Sequence, residues 1–96
     1  MVTKTYFKTK EYCKVKFSVE AENASSVKIL GLNNDWNTPV VMNKKKTGEF
    51  STEVSLPKNS AHQFKYLVDD LNWVNDPASD SLSPDSFGGT NSVISL

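Results

Sequence analysis

Tyr12-Cys13-Lys14-Val15-Lys16-Phe17-Ser18-Val19 alternates apolar and polar side chains with a period of two. Successive side chains of an extended strand project to opposite sides, so Cys13, Val15, Phe17 and Val19 share one face and Lys14, Lys16 and Ser18 the other. The pattern recurs along the chain. Val27 and Ile29 repeat it, Phe50, Thr52, Val54 and Leu56 alternate with Ser51, Glu53 and Ser55, and Phe64, Tyr66 and Val68 alternate with Lys65, Leu67 and Asp69. Val93 and Ile94 make a short last strand. Clusters of turn-forming residues at 22–26, 46–49, 57–60 and 69–70 separate these runs. No stretch keeps a helical spacing over a useful length. Short strands with one apolar face each predict an all-β fold, an immunoglobulin-like antiparallel β-sandwich. The segment 79–89, rich in Ser, Asp, Pro and Gly, reads as a long loop before the last strand, and its length points to a binding role.

Length and charge narrow the function. The 96 residues make one domain. A chain of that size buries roughly 60–65% of its unfolded surface, which leaves little room for an active site with its own supporting shell. The formal net charge is +0 and every basic residue is Lys, with no Arg. That disfavours nucleic acid as a partner, because neither a basic face nor a bidentate fork is on offer. Every Lys lies at or before Lys65, and Asp69, Asp70, Asp76, Asp80 and Asp85 follow it; solvated loops and edge strands account for this most simply. Cys13 is the only cysteine, which excludes an internal disulfide and suits a small buried apolar residue. Met1-Val2-Thr3-Lys4-Thr5 lacks the apolar core of a signal peptide, and no run approaches membrane-spanning length. The expectation is a soluble cytoplasmic protein with no membrane partner. Asn23-Ala24-Ser25 fits a glycosylation sequon, a match short enough to arise by chance.

The candidate site rests on Trp36, Trp73 and Lys65. Trp36 ends Gly31-Leu32-Asn33-Asn34-Asp35-Trp36, and Trp73 lies in Asn72-Trp73-Val74-Asn75-Asp76-Pro77, both polar settings for an indole. With Phe64, Tyr66 and Val68 facing the core, Lys65 and Leu67 face outward. Flat aromatic faces beside short amides and one ammonium suit a neutral, hydroxyl-rich ligand, since a sugar ring has an apolar C–H face and a polar edge. The plainer reading of each residue is a half-buried tryptophan with its N–H satisfied and an ordinary surface lysine.

Several stretches, taken in order, resemble a known family. They are Val27-Lys28-Ile29-Leu30-Gly31-Leu32-Asn33-Asn34-Asp35-Trp36, Met42, Gly48-Glu49-Phe50, Leu56-Pro57, His62-Gln63-Phe64-Lys65-Tyr66-Leu67-Val68-Asp69, Trp73 with Asp76-Pro77, and Phe87-Gly88-Gly89-Thr90-Asn91-Ser92-Val93. Together they resemble carbohydrate-binding module family 48. That family includes the glycogen-binding domain of the AMP-activated kinase β subunit and the N-terminal domains of branching and debranching enzymes of the isoamylase type. The resemblance implies that Trp36 and Trp73 stack on glucose rings of an α-1,4-glucan, while Lys65 and Asn91 hydrogen-bond its hydroxyls. Phe87 falls where the kinase-type domains carry a leucine that presses on the glucan, and Gly89 where they carry a threonine. Asn33 stands where the family usually has phenylalanine, so either Leu32 fills that core position with a shifted turn or the loop is remodelled. Asp70-Leu71-Asn72 makes the turn before Trp73 one residue longer than the kinase-type pattern.

The resemblance divides the chain into residues 13–96, a glycogen- or starch-binding-like domain, and residues 1–12, an N-terminal extension or edge strand. It implies glucan binding without catalysis, with a glycoside hydrolase, branching enzyme or kinase as the enzyme that such a module would target. Glycoside hydrolysis needs two carboxylates about 5–10 Å apart, and Asp69, Asp70 and Asp76 are expected in turns of a domain too small to desolvate them. His62 is the only histidine and reads as a strand-start residue. No metal-ligand spacing is present, and no cofactor is expected. The alternative is a sandwich that has lost sugar binding and serves protein contacts or self-association. In that case Thr5-Tyr6-Phe7 could add a strand to a second copy, giving a homodimer.

Overall fold

The alternation around Cys13 becomes the central ladder of one sheet. The computed structural model describes residues 1–21, 23–85 and 88–96. Strand β2 (Tyr12–Glu20) pairs antiparallel along its whole length with β6 (Glu49–Pro57). Cys13 lies opposite Leu56, Val15 opposite Val54 and Val19 opposite Phe50, all on the inner face, while Lys14 and Lys16 oppose Ser55 and Glu53 on the outer face. β1 (Val2–Tyr6) flanks β2, and β5 (Asn43–Lys44) flanks β6, so the first sheet runs β1-β2-β6-β5.

The second sheet is organised by β7 (Ala61–Val68). One edge of β7 takes β3 (Val27–Leu30), which in turn pairs β4 (Val40–Val41). The other edge is shared. Its first half pairs β10 (Thr90–Ser95), and its second half pairs β8 (Asn72–Val74). β9 (Ser81–Pro84) closes the sheet beyond β10. The segment expected as one long loop before the last strand therefore contains a strand of its own, and the last strand is longer than its Val93-Ile94 centre.

The inner faces meet in a dry aromatic and aliphatic core. Phe17 of the first sheet packs edge-on against Phe64 of the second, with centroids 5.2 Å apart, and Phe64 packs edge-on against Tyr66 at 5.6 Å. Such tilted pairs add roughly 0.5–1.5 kcal/mol beyond the area they bury. Cys13, Val15, Ile29, Leu56 and Ile94 fill the space around them. Cys13 is wholly buried, as its place in the alternation predicts. Among the described residues no helix is long and apolar enough to cross a membrane.

Two acidic residues fix where β8 lies. Asp69 and Asp70 both sit at positive φ, 54° and 55°, and the Leu71 N–H closes the turn on the Val68 carbonyl at 3.1 Å. Asp tolerates this left-handed backbone better than most residues, and paired positive φ values match the twist of a hairpin. Asp69 Oδ1 also accepts the N–H groups of Ser25 and Ser26 at 2.6 and 3.0 Å, and Asp70 pairs with Lys28 at 2.7 Å. The extra residue in this turn is thereby held from both sides. Beyond β8, Asp76 is 1% exposed, against the expectation that so small a domain could not desolvate it. Its oxygens accept the Tyr66 hydroxyl, the Ala78 N–H and the Met1 ammonium, and its own N–H donates to Ser92 Oγ. This saturated carboxylate is a structural knot between β7, β8 and β10.

Candidate carbohydrate-binding cleft

Trp36 reaches its place through an irregular turn after β3. Gly31, at φ 106°, donates its N–H to the Asp35 carbonyl at 3.0 Å, and the Asp35 N–H returns to the Leu32 carbonyl at 3.1 Å. Leu32 is buried in the core while Asn33 and Asn34 turn at φ 57° and 58°. Of the two arrangements open for this loop, Leu32 takes the core position and Asn33 turns outward. A Cβ on Gly31 would lie 2.7 and 2.8 Å from Cζ2 and Cη2 of Trp36, so the benzo edge of the indole rests where a side chain would otherwise be. Asp35 Oδ1 accepts the N–H groups of Asn37 and Thr38 at 2.9 and 3.1 Å, and these bonds hold its carboxyl below the usual range.

His62 secures the same turn from below. The Asn33 N–H donates to His62 Nδ1 at 3.1 Å. Ser60 gives its hydroxyl proton to the Pro57 carbonyl, so its oxygen receives the Nε2–H of His62 across 2.8 Å. Both contacts require the neutral ring protonated on Nε2. Burial pushes the pKa of His62 below its ordinary 6.5. The only histidine is therefore a support for the tryptophan loop, a role that its position at the start of a strand did not reveal.

The outer face of the second sheet carries a cleft of about 610 Å³ lined by Trp36, Gln63, Lys65, Trp73, Pro84, Asp85 and Asn91. Trp36 and Trp73 are 36% and 53% exposed. Trp73 projects from β8, a three-residue strand within its polar flanks; it lies opposite Leu67, on the outer face. Lys65 also faces outward, as the strand phase requires, and its Nζ lies 2.8 Å from Asp85 Oδ2. Asn91 donates its Nδ2 to Gln63 Oε1 at 3.0 Å. With that bond made, the Asn91 carbonyl oxygen is an acceptor and the Gln63 amide nitrogen a donor for a ligand. Four of the five expected residues, Trp36, Lys65, Trp73 and Asn91, thus line one cavity. Phe87, the fifth, lies outside the described residues.

Gln63, Pro84 and Asp85 join the cleft without having been anticipated. Gln63 is legible afterwards, because it stands two residues before Lys65 on the same face of one strand. Pro84 and Asp85 come to the site only because β9 pairs β10, with Ser83 opposite Asn91. The polar stretch that holds them gave no strand signal. Among the described residues no group of three or more His, Cys, Asp or Glu side chains is placed to hold a metal.

An immunoglobulin-like sandwich with an indole-flanked cleft on one outer face has the build of a carbohydrate-binding module. The chain belongs to the family described as the glycogen recognition site of AMP-activated protein kinase, whose model matches residues 13–96. This bears out the resemblance to carbohydrate-binding module family 48. No curated protein matches the chain. Among solved structures it is similar to the enterobactin esterase from Shigella flexneri determined with 2,3-dihydroxy-N-benzoyl-serine. That match has a TM-score of 0.77 and 10% identity, and it covers 99% of this chain and 32% of the esterase. At that identity the likeness concerns the fold alone, and this chain spans about a third of the esterase's length.

Proposed function

We propose that the cleft binds an α-1,4-glucan, as glycogen, starch or a maltooligosaccharide, and that the chain performs no catalysis on it. One observation carries this reading. Two exposed indoles, one from the turn after β3 and one from β8, border the same cavity as Lys65 and Asn91. Each indole offers a face to the C–H side of a glucose ring, worth roughly 1–2 kcal/mol by analogy with base stacking on aromatic platforms. Lys65, Asn91 and Gln63 supply donors and acceptors for the hydroxyl rim. An open, partly wet site of this kind suits dissociation constants in the micromolar to millimolar range, about 4–8 kcal/mol. Asp85 is the one carboxylate among the described lining residues, whereas a glycosidase sets two across the scissile bond. The module would serve by holding a glucan-active enzyme or kinase at its polymer.

A sandwich that has lost sugar binding and joins partners is the second reading. It draws on β1, which ends the first sheet, and on the exposed Tyr6. Lys4 nevertheless ties β1 to the second sheet through Asp80 at 2.6 Å and the Ser95 carbonyl at 2.9 Å. The deciding experiment is calorimetric titration of maltoheptaose into the wild type, Trp36→Ala and Trp73→Ala. Wild-type binding that either substitution weakens tenfold or more supports the platform. Absence of heat at millimolar ligand from a folded wild type would sink it and favour protein contacts.

A further inference from the structure

Among the described residues that line the cleft, Lys65 and Asp85 are the only charged ones, and they are paired. Their side chains are 18% and 11% exposed, and Nζ meets Oδ2 at 2.8 Å. The carboxylate is also fixed from behind. Asp85 Oδ1 accepts the Gly89 N–H at 2.8 Å, and the Asp85 N–H donates to the Gly89 carbonyl at 3.0 Å. A Cβ on residue 89 would stand 2.9 Å from Asp85 Oδ2, so Gly89 is what lets the carboxylate occupy this place. Asp85 is thus built in as the counter-charge of Lys65.

We propose that Asp85 is a specificity-determining residue that reserves the cleft for neutral glucans and against glucans carrying phosphate or carboxylate groups. This rests on the glucan-binding reading above. A phosphomonoester brings between one and two negative charges near neutral pH. Facing Lys65 alone, it would gain a charge-assisted contact in a partly desolvated cleft. Facing the compensated pair, it gains little from the ammonium that the adjacent carboxylate does not cancel, and its own desolvation is left unrepaid. A neutral hydroxyl suffers no such penalty, because Lys65 can donate a further hydrogen bond while staying paired. The chain contains no Arg that could form a bidentate phosphate clamp in its place. Discrimination here comes from a repulsive element set beside the attractive one.

The test measures the ratio of dissociation constants for maltoheptaose and for maltoheptaose phosphorylated at one glucose C6, with wild type and Asp85→Asn. Asn keeps an oxygen for the Gly89 N–H and removes the charge. The substitution should shift the ratio toward the phosphorylated ligand by about tenfold or more, and the gain should fade as salt rises to about 0.5 M. The double variant Lys65→Gln/Asp85→Asn, neutral again, should lose that gain. Wild type should show a ratio that stays flat between about 0.02 and 0.5 M NaCl, a reading that needs no variant to fold. Wild type that binds maltoheptaose but prefers the phosphorylated form, or an Asp85→Asn ratio equal to that of wild type, overturns the proposal. Wild type that binds neither ligand overturns the glucan reading itself.

Discussion

Gly31→Ala tests how the platform is seated. At φ 106° an L-residue is strained by about 1–2 kcal/mol. The added methyl would also stand 2.4 Å from the backbone carbonyl oxygen of Gln63 and 2.7 Å from Trp36 Cζ2. The indole could tilt away, but the carbonyl belongs to β7 and cannot move without disturbing the ladders on both its edges. Overpacking of this kind costs about 1–3 kcal/mol, so the total is about 2–5 kcal/mol. For a domain of this length each kcal/mol lowers Tm by about 4–8 °C, and a fall of at least about 8 °C is expected by calorimetry. Gly88→Ala is the matched control. Gly88 also has a positive φ, 85°, yet a Cβ there meets no atom of the described residues within 4 Å apart from its chain neighbours, so the strain of the backbone is what this variant reports. The difference between the two variants isolates the packing contribution. Gly31→Ala should also weaken maltoheptaose binding, because Trp36 is displaced. A Tm within about 2 °C of that of Gly88→Ala, with sugar affinity unchanged, would refute the view that Gly31 seats the indole.

Two other groups make further tests. His62 holds Asn33 only as a neutral ring, and burial keeps its folded pKa below 6.5, so the unfolded chain binds this proton more readily. Its contribution to stability is therefore complete above about pH 6.5 and shrinks as pH falls toward the folded value. Thermal melts between about pH 8 and 5 should show that loss, and His62→Gln should flatten it; an unchanged slope in His62→Gln would remove the histidine from the account. At Asp76, burial alone would raise the carboxyl pKa, but bonds from Tyr66, the Met1 ammonium and Ala78 hold it below 3.8. Asp76→Ala should cost about 2–4 kcal/mol in urea unfolding, because the Tyr66 hydroxyl is stranded in the core. Tyr66→Phe in the same background should then cost less than it does alone. Strictly additive losses would show that the two side chains do not act as a unit.

The strands most visible in the sequence are those with one wet face. β2, β6 and β7 alternate over eight or nine residues because one side meets the core and the other meets solvent. β4, β5, β8 and β9 are two to four residues long, and their side chains are mostly exposed. No periodicity can mark strands so short, since pairing with a longer neighbour decides their conformation and their own side chains contribute little burial. The polar stretch around Ser81–Pro84 is the clearest instance. It reads as loop, yet lies as a strand because β10 offers it an edge.

The same distinction governs the cleft. Strand phase alone put Lys65 on the outer face, and it would have put Gln63 there too, since both follow from one alternation. Trp36 and Trp73 stood out because a large indole in a polar stretch conflicts with its local surroundings, and such conflicts gather at functional sites. Asp85 carried neither signal. An acidic residue in an acidic, serine-rich segment is the least conspicuous thing there, and only the folded chain sets it against Lys65 at 2.8 Å. What a cleft attracts is therefore easier to read from a sequence than what it rejects. Attraction uses residues unusual for their setting, whereas rejection can be left to an ordinary carboxylate that tertiary structure brings within reach.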